Sequence, residues 1–418
     1  MAVVLRPYRL LAAVPHASTL MIASLLGRMH LPAIAMVMTF LIADWTGSYT
    51  AGGVLSAALT IGQAIAGPVR GRAADRSSAP RLLLITGGLY GLGLAVIALV
   101  ARPGGLLDGS TWWSLLPVAL LTGLATPPVS QIGRGMWPRI ADGPAREAAY
   151  AVEATLQELL FVISPILAAS AVAFWNPVVA MLLCAVMSMV GPAVFAGALW
   201  RAGLREAPTR SGNDGQAAGS LFRVPGFVPL LGFGALVVGA LVSVDLVLVG
   251  WSRNRGTPEL AGVLAALWAI GSLAGGLLMG GVGGRPRVWL RGLMTGIGLV
   301  ALVPVLPPVA DPASPWLVAA VLLVGGTAVA PLLAAINGRL AELAPADRRS
   351  EAFGWFSTAS TGGITVASPV AGWMLDHAGP AAAAAVGGAA ALLAVGLVAR
   401  HSVRGSRVRG RTGETATT

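Results

Sequence analysis

The chain has 418 residues, of which 56% are hydrophobic and only 11% charged, and its mean hydropathy is +0.78. Soluble domains carry about 25% charged residues, so a water-soluble globule is excluded, and long apolar runs replace the short alternating segments of a transmembrane barrel. The net charge is +11, carried entirely by arginine. The single cysteine, Cys184, rules out disulfides, Cys-based zinc sites and CxxC redox chemistry; it reads as a small buried hydrophobe.

A helix crossing a hydrocarbon core of about 30 Å needs roughly 20 apolar residues. Segments of that kind fall at 17–42, 50–70, 82–101, 112–133, 147–173 and 177–200, then at 226–250, 259–281, 288–308, 314–336, 351–375 and 380–399. No signal-peptide cleavage pattern precedes the first. The expected fold is an all-α membrane protein with twelve transmembrane helices in two six-helix bundles. Residues 1–200 form the first bundle and 226–400 the second. Between them, 201–225 is a polar, Gly- and Ser-rich linker, and 401–418 is a basic tail expected to be disordered.

Arginine placement sets the expected orientation. With a cytoplasmic N-terminus, only Arg102, Arg253 and Arg255 lie in outer loops, and Arg28 lies within a span. Every other arginine then falls on the cytoplasmic side, which is the positive-inside pattern. The basic charge is therefore topogenic and implies no nucleic acid. The expected location is the inner (plasma) membrane, with both termini cytoplasmic.

The halves repeat. Gly62, Gly67, Gly71, Thr86 and Gly87 match Gly271, Gly276, Gly280, Thr295 and Gly296 at an offset of 209, as Arg76 matches Arg285. Glu147-Ala148 and Ser164-Pro165 match Glu351-Ala352 and Ser368-Pro369 at an offset of 204. Tandem halves joined on the cytoplasmic side point to a secondary transporter with its substrate site between them.

Between spans two and three, Gly71-x-x-x-Asp75-Arg76 followed by Arg81 resembles the signature cytoplasmic loop of the major facilitator superfamily. Ser78 stands where a second Gly is usual, and Arg81 is all that remains of the basic cluster. The resemblance implies a loop that helps latch the outward-open form, with Asp75 accepting hydrogen bonds from a helix N-terminus across the interface. Asp75 and Arg76 are then conformational residues rather than substrate ligands. "TGSYTAGG", "LWAIGSLAGGLLMG" and "RSEAFGWFSTAS" are similar to stretches of bacterial permeases of mostly unassigned substrate. Two departures stand against the proton-linked drug exporters. "SLLPVALLTGLATPP" in span four has no arginine, and Ser164 replaces the Gly of their span-five Gly-Pro.

Ionisable residues inside spans are functional candidates. Arg28 lies about 11 residues, roughly 16 Å, into span one. Glu158 lies at the same depth in span five when that span is counted from Glu147. The expected pair is Arg28 with Glu158, with Glu153 as the alternative partner. Either pair is a proton coupler, with the carboxylate as titratable member, or a static lock of the bundle. His30, about 200° further round the helix, reads as a packed residue. Asp245 is either a cation or proton site in the outer vestibule or a partner of Arg253 or Arg255. Asp44 and Asp376 read as solvated.

Pro127-Pro128 should kink span four. Gln131 and Asn337 are expected near the inner ends of spans four and ten, placed to bond a substrate or close a gate. Trp112, Trp113, Trp175, Trp251 and Trp316 read as an interfacial belt. Trp268, Trp355 and Phe356 lie deeper, as helix packing or as a stacking surface for a ligand.

No P-loop, metal spacing or catalytic constellation is present in the sequence, so neither an enzyme nor a cofactor or metal is expected. The leading expectation is a monomeric, proton-coupled exporter of a small drug-like or metabolite compound. The alternative is an uptake symporter or facilitator for a small polar or anionic metabolite bound through Arg28. A non-transporting membrane sensor of the same fold stands third.

Overall fold

The structure is a computed structural model, and it describes residues 2–102, 104, 108–206, 220–257, 259–280 and 287–413. Among the described residues, eleven helical segments are long and apolar enough to cross a membrane. The last, Ala346–Leu397, bends at Gly379, where φ is 83°, and makes two crossings. Positive φ is cheap only for glycine, which is why the reversal falls there. With spans eleven and twelve counted separately, twelve helices among the described residues form two six-helix bundles, and the even number of crossings brings the helix Ala2–Ala12 and the last residues of span twelve to one end of the molecule. The linker expected at 201–225 falls largely outside the described residues. The helix of span twelve is described as far as Gly413, within the basic tail.

Three spans are broken near mid-depth. Span one divides into Ala17–Arg28 and Leu31–Thr46. Pro32 has no N–H to offer the Arg28 carbonyl, so the ladder fails there. Span four divides into Leu116–Leu124 and Val129–Ile140, because Pro127 and Pro128 remove two donors and push their predecessors out of the α region. The expected kink is thus a complete break. Span four also runs on to Ile140, seven residues past its expected end, which carries Arg134 into the helix. Span ten breaks between Pro315–Gly326 and Val329–Leu343, the counterpart position in the second half.

The repeated glycines set the helix contacts. At Gly62 a side chain would overlap the Leu120 carbonyl, and at Gly271 the Leu323 carbonyl, so span two approaches span four as span eight approaches span ten. Gly67 and Gly276 serve the contact between halves, against Gly354 of span eleven and Thr155 of span five.

Buried side chains fall into three clusters. One, including Leu20, Trp137, Tyr150, Phe233, Ile336 and Phe353, runs through both halves at the end that carries the termini. The other two lie at the opposite end, one in each half. The halves therefore share a core at one end and have separate cores at the other, leaving a crevice between them. Trp113, Trp175 and Trp316 are exposed at the crevice end, as an interfacial belt would be. Trp251, expected in that belt, is instead buried, with the Arg255 guanidinium 5.9 Å over its ring. Cys184 is buried in the core of the first half.

Candidate functional site: a closed gate, a buried charge hub and an open crevice

The gate is built where span two meets the start of span eleven. The helix beginning at Arg349 leaves its first N–H groups without intrahelical partners. Asp75 takes them: its carboxylate accepts from the Ser350 N–H at 3.1 Å and the Glu351 N–H at 2.9 Å. Asp75 is only 6% exposed, so its charge is held by these donors and by the positive end of the helix. Gly71 makes the approach possible, because any side chain there would overlap the Ser350 backbone.

Arg72, a residue the loop resemblance did not single out, donates to Glu351 at 2.7 Å, and Arg348 donates to both oxygens of the same carboxylate at 2.9 Å. The Thr358 hydroxyl bonds the Ala64 carbonyl deeper in the same seam. Arg76 and Arg81 are exposed. Within the motif, then, Gly71 and Asp75 make the contact between halves.

A second cluster lies inside the first half. Glu153, 1% exposed, is its hub. It pairs with Arg28 at 2.9 Å and with Arg134 at 3.3 Å, and it accepts from the indole N–H of Trp137 at 2.9 Å. Arg28 also donates to the Ser24 carbonyl and hydroxyl, Arg134 donates to the Gln157 side chain, and the Tyr150 hydroxyl donates to the Arg134 carbonyl.

The partner of Arg28 is therefore Glu153, not Glu158. The helix of span five begins at Gly143, four residues before Glu147. Glu153 is then ten residues in, level with Arg28 eleven residues beyond Ala17. Glu158 lies about 140° further round the same helix and faces elsewhere. Arg134 carries a guanidinium into span four, where "SLLPVALLTGLATPP" has none. Its only signal in the sequence is that the helix resumes after the two prolines.

The third feature is the crevice. Glu158 on span five and Asp245 on span seven belong to opposite halves, and the charge of Asp245 acts on Glu158. Asp245 is exposed and Glu158 partly buried. Among the described residues, no hydrogen bond or ion pair reaches either carboxylate. Asp245 lies nine residues before the end of the helix Phe227–Asn254, about 13 Å deep, because span seven runs past its expected end. Arg255 is turned away, donating to the Ala313 carbonyl at 3.0 Å; the Arg253 side chain lies outside the described residues.

The remaining candidates are placed as follows. Gln131 is partly buried, and Asn337 is buried where span ten meets span five at the gate end. Trp268 is part of the second half's core. Trp355 packs on the shared core, 4.8 Å edge-on from Phe222. His30 is buried at the break in span one, 5.6 Å from the Tyr90 ring, and neither ring nitrogen has a hydrogen-bond partner. Among the described residues, no three His, Cys, Asp or Glu side chains gather as a metal site.

The sequence matches the family model described as Major Facilitator Superfamily over residues 18–325 and 233–416. No curated protein matches it. Among solved structures it resembles a bacterial homologue of the iron transporter ferroportin in an outward-facing state with soaked iron (18% identity, 92% of this chain and 98% of that one, TM-score 0.72). It also resembles the proton:xylose symporter XylE bound to 6-bromo-6-deoxy-D-glucose (14%, 90% and 94%, 0.68). A third likeness is to the human organic anion transporter MFSD10 (15%, 94% and 99%, 0.63). At these identities the likeness is one of fold.

Proposed function

The chain belongs to the major facilitator superfamily, a family of membrane transporters rather than enzymes, and from that premise we propose that it is a proton-coupled exporter of small organic molecules that carry a positive charge. The observation behind the reading is the pair Glu158 and Asp245, contributed by opposite halves to one crevice and without cationic partners among the described residues. Two carboxylates that act on each other electrostatically repel, so a proton or an organic cation relieves them. Both compete for the same oxygens, so the arrival of one favours the departure of the other. That is exchange.

The gate supplies the second half of the mechanism. With the end carrying the termini closed by Asp75 and the opposite end split into separate cores, this conformation is read as outward-open, the termini being cytoplasmic. Rocking the halves about the carboxylate pair would open the other end. Arg28 is read as part of a lock, since its donors are taken by Ser24 and Glu153. The alternative in which it grips an anionic substrate finds no free guanidinium.

The test uses everted membrane vesicles. An acidic interior should drive accumulation of probe cations such as ethidium, and Glu158→Gln or Asp245→Asn should abolish the gradient dependence while leaving folded yield unchanged. Accumulation indifferent to the gradient, or coupling that survives both substitutions, would overturn the reading.

A further inference from the structure

The two seams of the gate are related by the internal repeat, but the sequence does not repeat the latch aspartate. Asp75-Arg76 of the first half corresponds, at the offset of 209, to Gly284-Arg285 of the second. Span eleven's start is met by the Asp75 carboxylate, whereas the sequence has a glycine at the counterpart position. Residues 281–286 lie outside the described ones, but the identity of residue 284 is enough: a glycine accepts no bond through a side chain.

The seam between spans five and eight is bridged by something else. The helix Ala2–Ala12 precedes span one. Pro7 and Leu11 are buried and Tyr8 half-buried along one face, while Arg6, Arg9 and Leu10 are exposed. Leu11 and Tyr8 join the shared core, and the helix packs chiefly against Gly143–Phe174 of span five, so it is seated on the first half. From there the Tyr8 hydroxyl reaches the second half. It donates to the Leu277 carbonyl at 2.5 Å, with the Gly276 carbonyl at 3.5 Å. Leu277 lies near the Gly280 end of the described helix Glu259–Gly280. The same Gly276 is where span eight touches Thr155 of span five.

We infer that the N-terminal helix is a strap that holds the gate shut at the seam lacking the Asp latch, with Tyr8 as its tie. Opening this end requires spans five and eight to part. Because the strap stays on span five, the bond from Tyr8 to Leu277 must then break. The strap thus biases the conformational equilibrium toward the form closed at this end, and anything that lifts it, such as truncation or a ligand on its arginine face, releases the gate. The inference rests on the reading of two interconverting conformations and needs no knowledge of the substrate.

Spin labels on the full chain test it, placed by Arg201→Cys and Arg339→Cys, one on each half at the gate end, in a Cys184→Ser background. Tyr8→Phe keeps the packed ring and removes the donor. It should raise the ratio of separated to closed label distances about three- to tenfold, the range that one net hydrogen bond commands. Deletion of residues 2–12 should do at least as much, and Leu10→Ala, on the exposed face, should do nothing. Asp75→Asn serves as reference. If it shifts the distances and Tyr8→Phe and the deletion do not, the strap is wrong. If Asp75→Asn also leaves them unmoved, the two-conformation reading fails, and the strap with it.

Discussion

Glu153 lies 2.9 Å from the guanidinium of Arg28, whereas Glu158, five residues along the same helix, has no cationic partner among the described residues. The two carboxylates belong to one span, yet one holds the first half together and the other faces across to the second.

Their substitution should therefore separate cleanly. Glu153→Gln strands the buried guanidinium of Arg28 and the partly buried one of Arg134, and losing one partner of a buried ion pair costs about 3–5 kcal/mol. Glu158→Gln removes no described partner and should change stability by less than about 0.5 kcal/mol. Thermal unfolding of the purified variants checks both; similar losses from the two would contradict the division of roles.

Asp75→Asn should weaken the gate. Hydrogen bonds to a charged acceptor contribute about 1.5–3 kcal/mol, and the amide keeps only one accepting oxygen. The form open at the terminus-bearing end should gain roughly tenfold or more, measured by cysteine accessibility at residues on the inner face of that seam. Arg72→Gln should have a smaller effect, below about 1 kcal/mol, because Arg72 is half exposed and Arg348 still holds Glu351.

Gly71→Val acts by volume. Its side chain would meet the Ser350 and Glu351 backbones, which cannot yield as a flexible side chain would. The seam should stay parted, giving a population shift in the same direction as Asp75→Asn, with no charge removed. Raised salt should change neither variant's population much, since the contact is buried.

His30→Leu should leave stability unchanged or raise it by about 1 kcal/mol, because both ring nitrogens are buried without hydrogen bonds and desolvating them is costly. A loss of several degrees in Tm would show that the imidazole has a partner that matters.

Composition, the lengths of the apolar runs and the internal repeat by themselves determined that the chain is a bundle of twelve membrane helices in two repeated halves. Hydrocarbon thickness and backbone hydrogen bonding leave a chain this apolar almost no other fold. The glycines at fixed offsets and the Gly71–Asp75 motif also carried into the structure, because close backbone approach and a helix N-terminus each demand particular residues locally. What only the tertiary structure decided were the pairings. Counting from Glu147 set Glu158 level with Arg28, but four further helical residues before it moved that level to Glu153. Proline breaks that pass unseen in a hydropathy window carried Arg134 into the interior and turned it toward Glu153. Tyr8 was unremarkable in the sequence, since its meaning lies in a carbonyl 269 residues away. Depth follows from counting along one helix; which face meets which neighbour depends on where every other helix begins, breaks and turns.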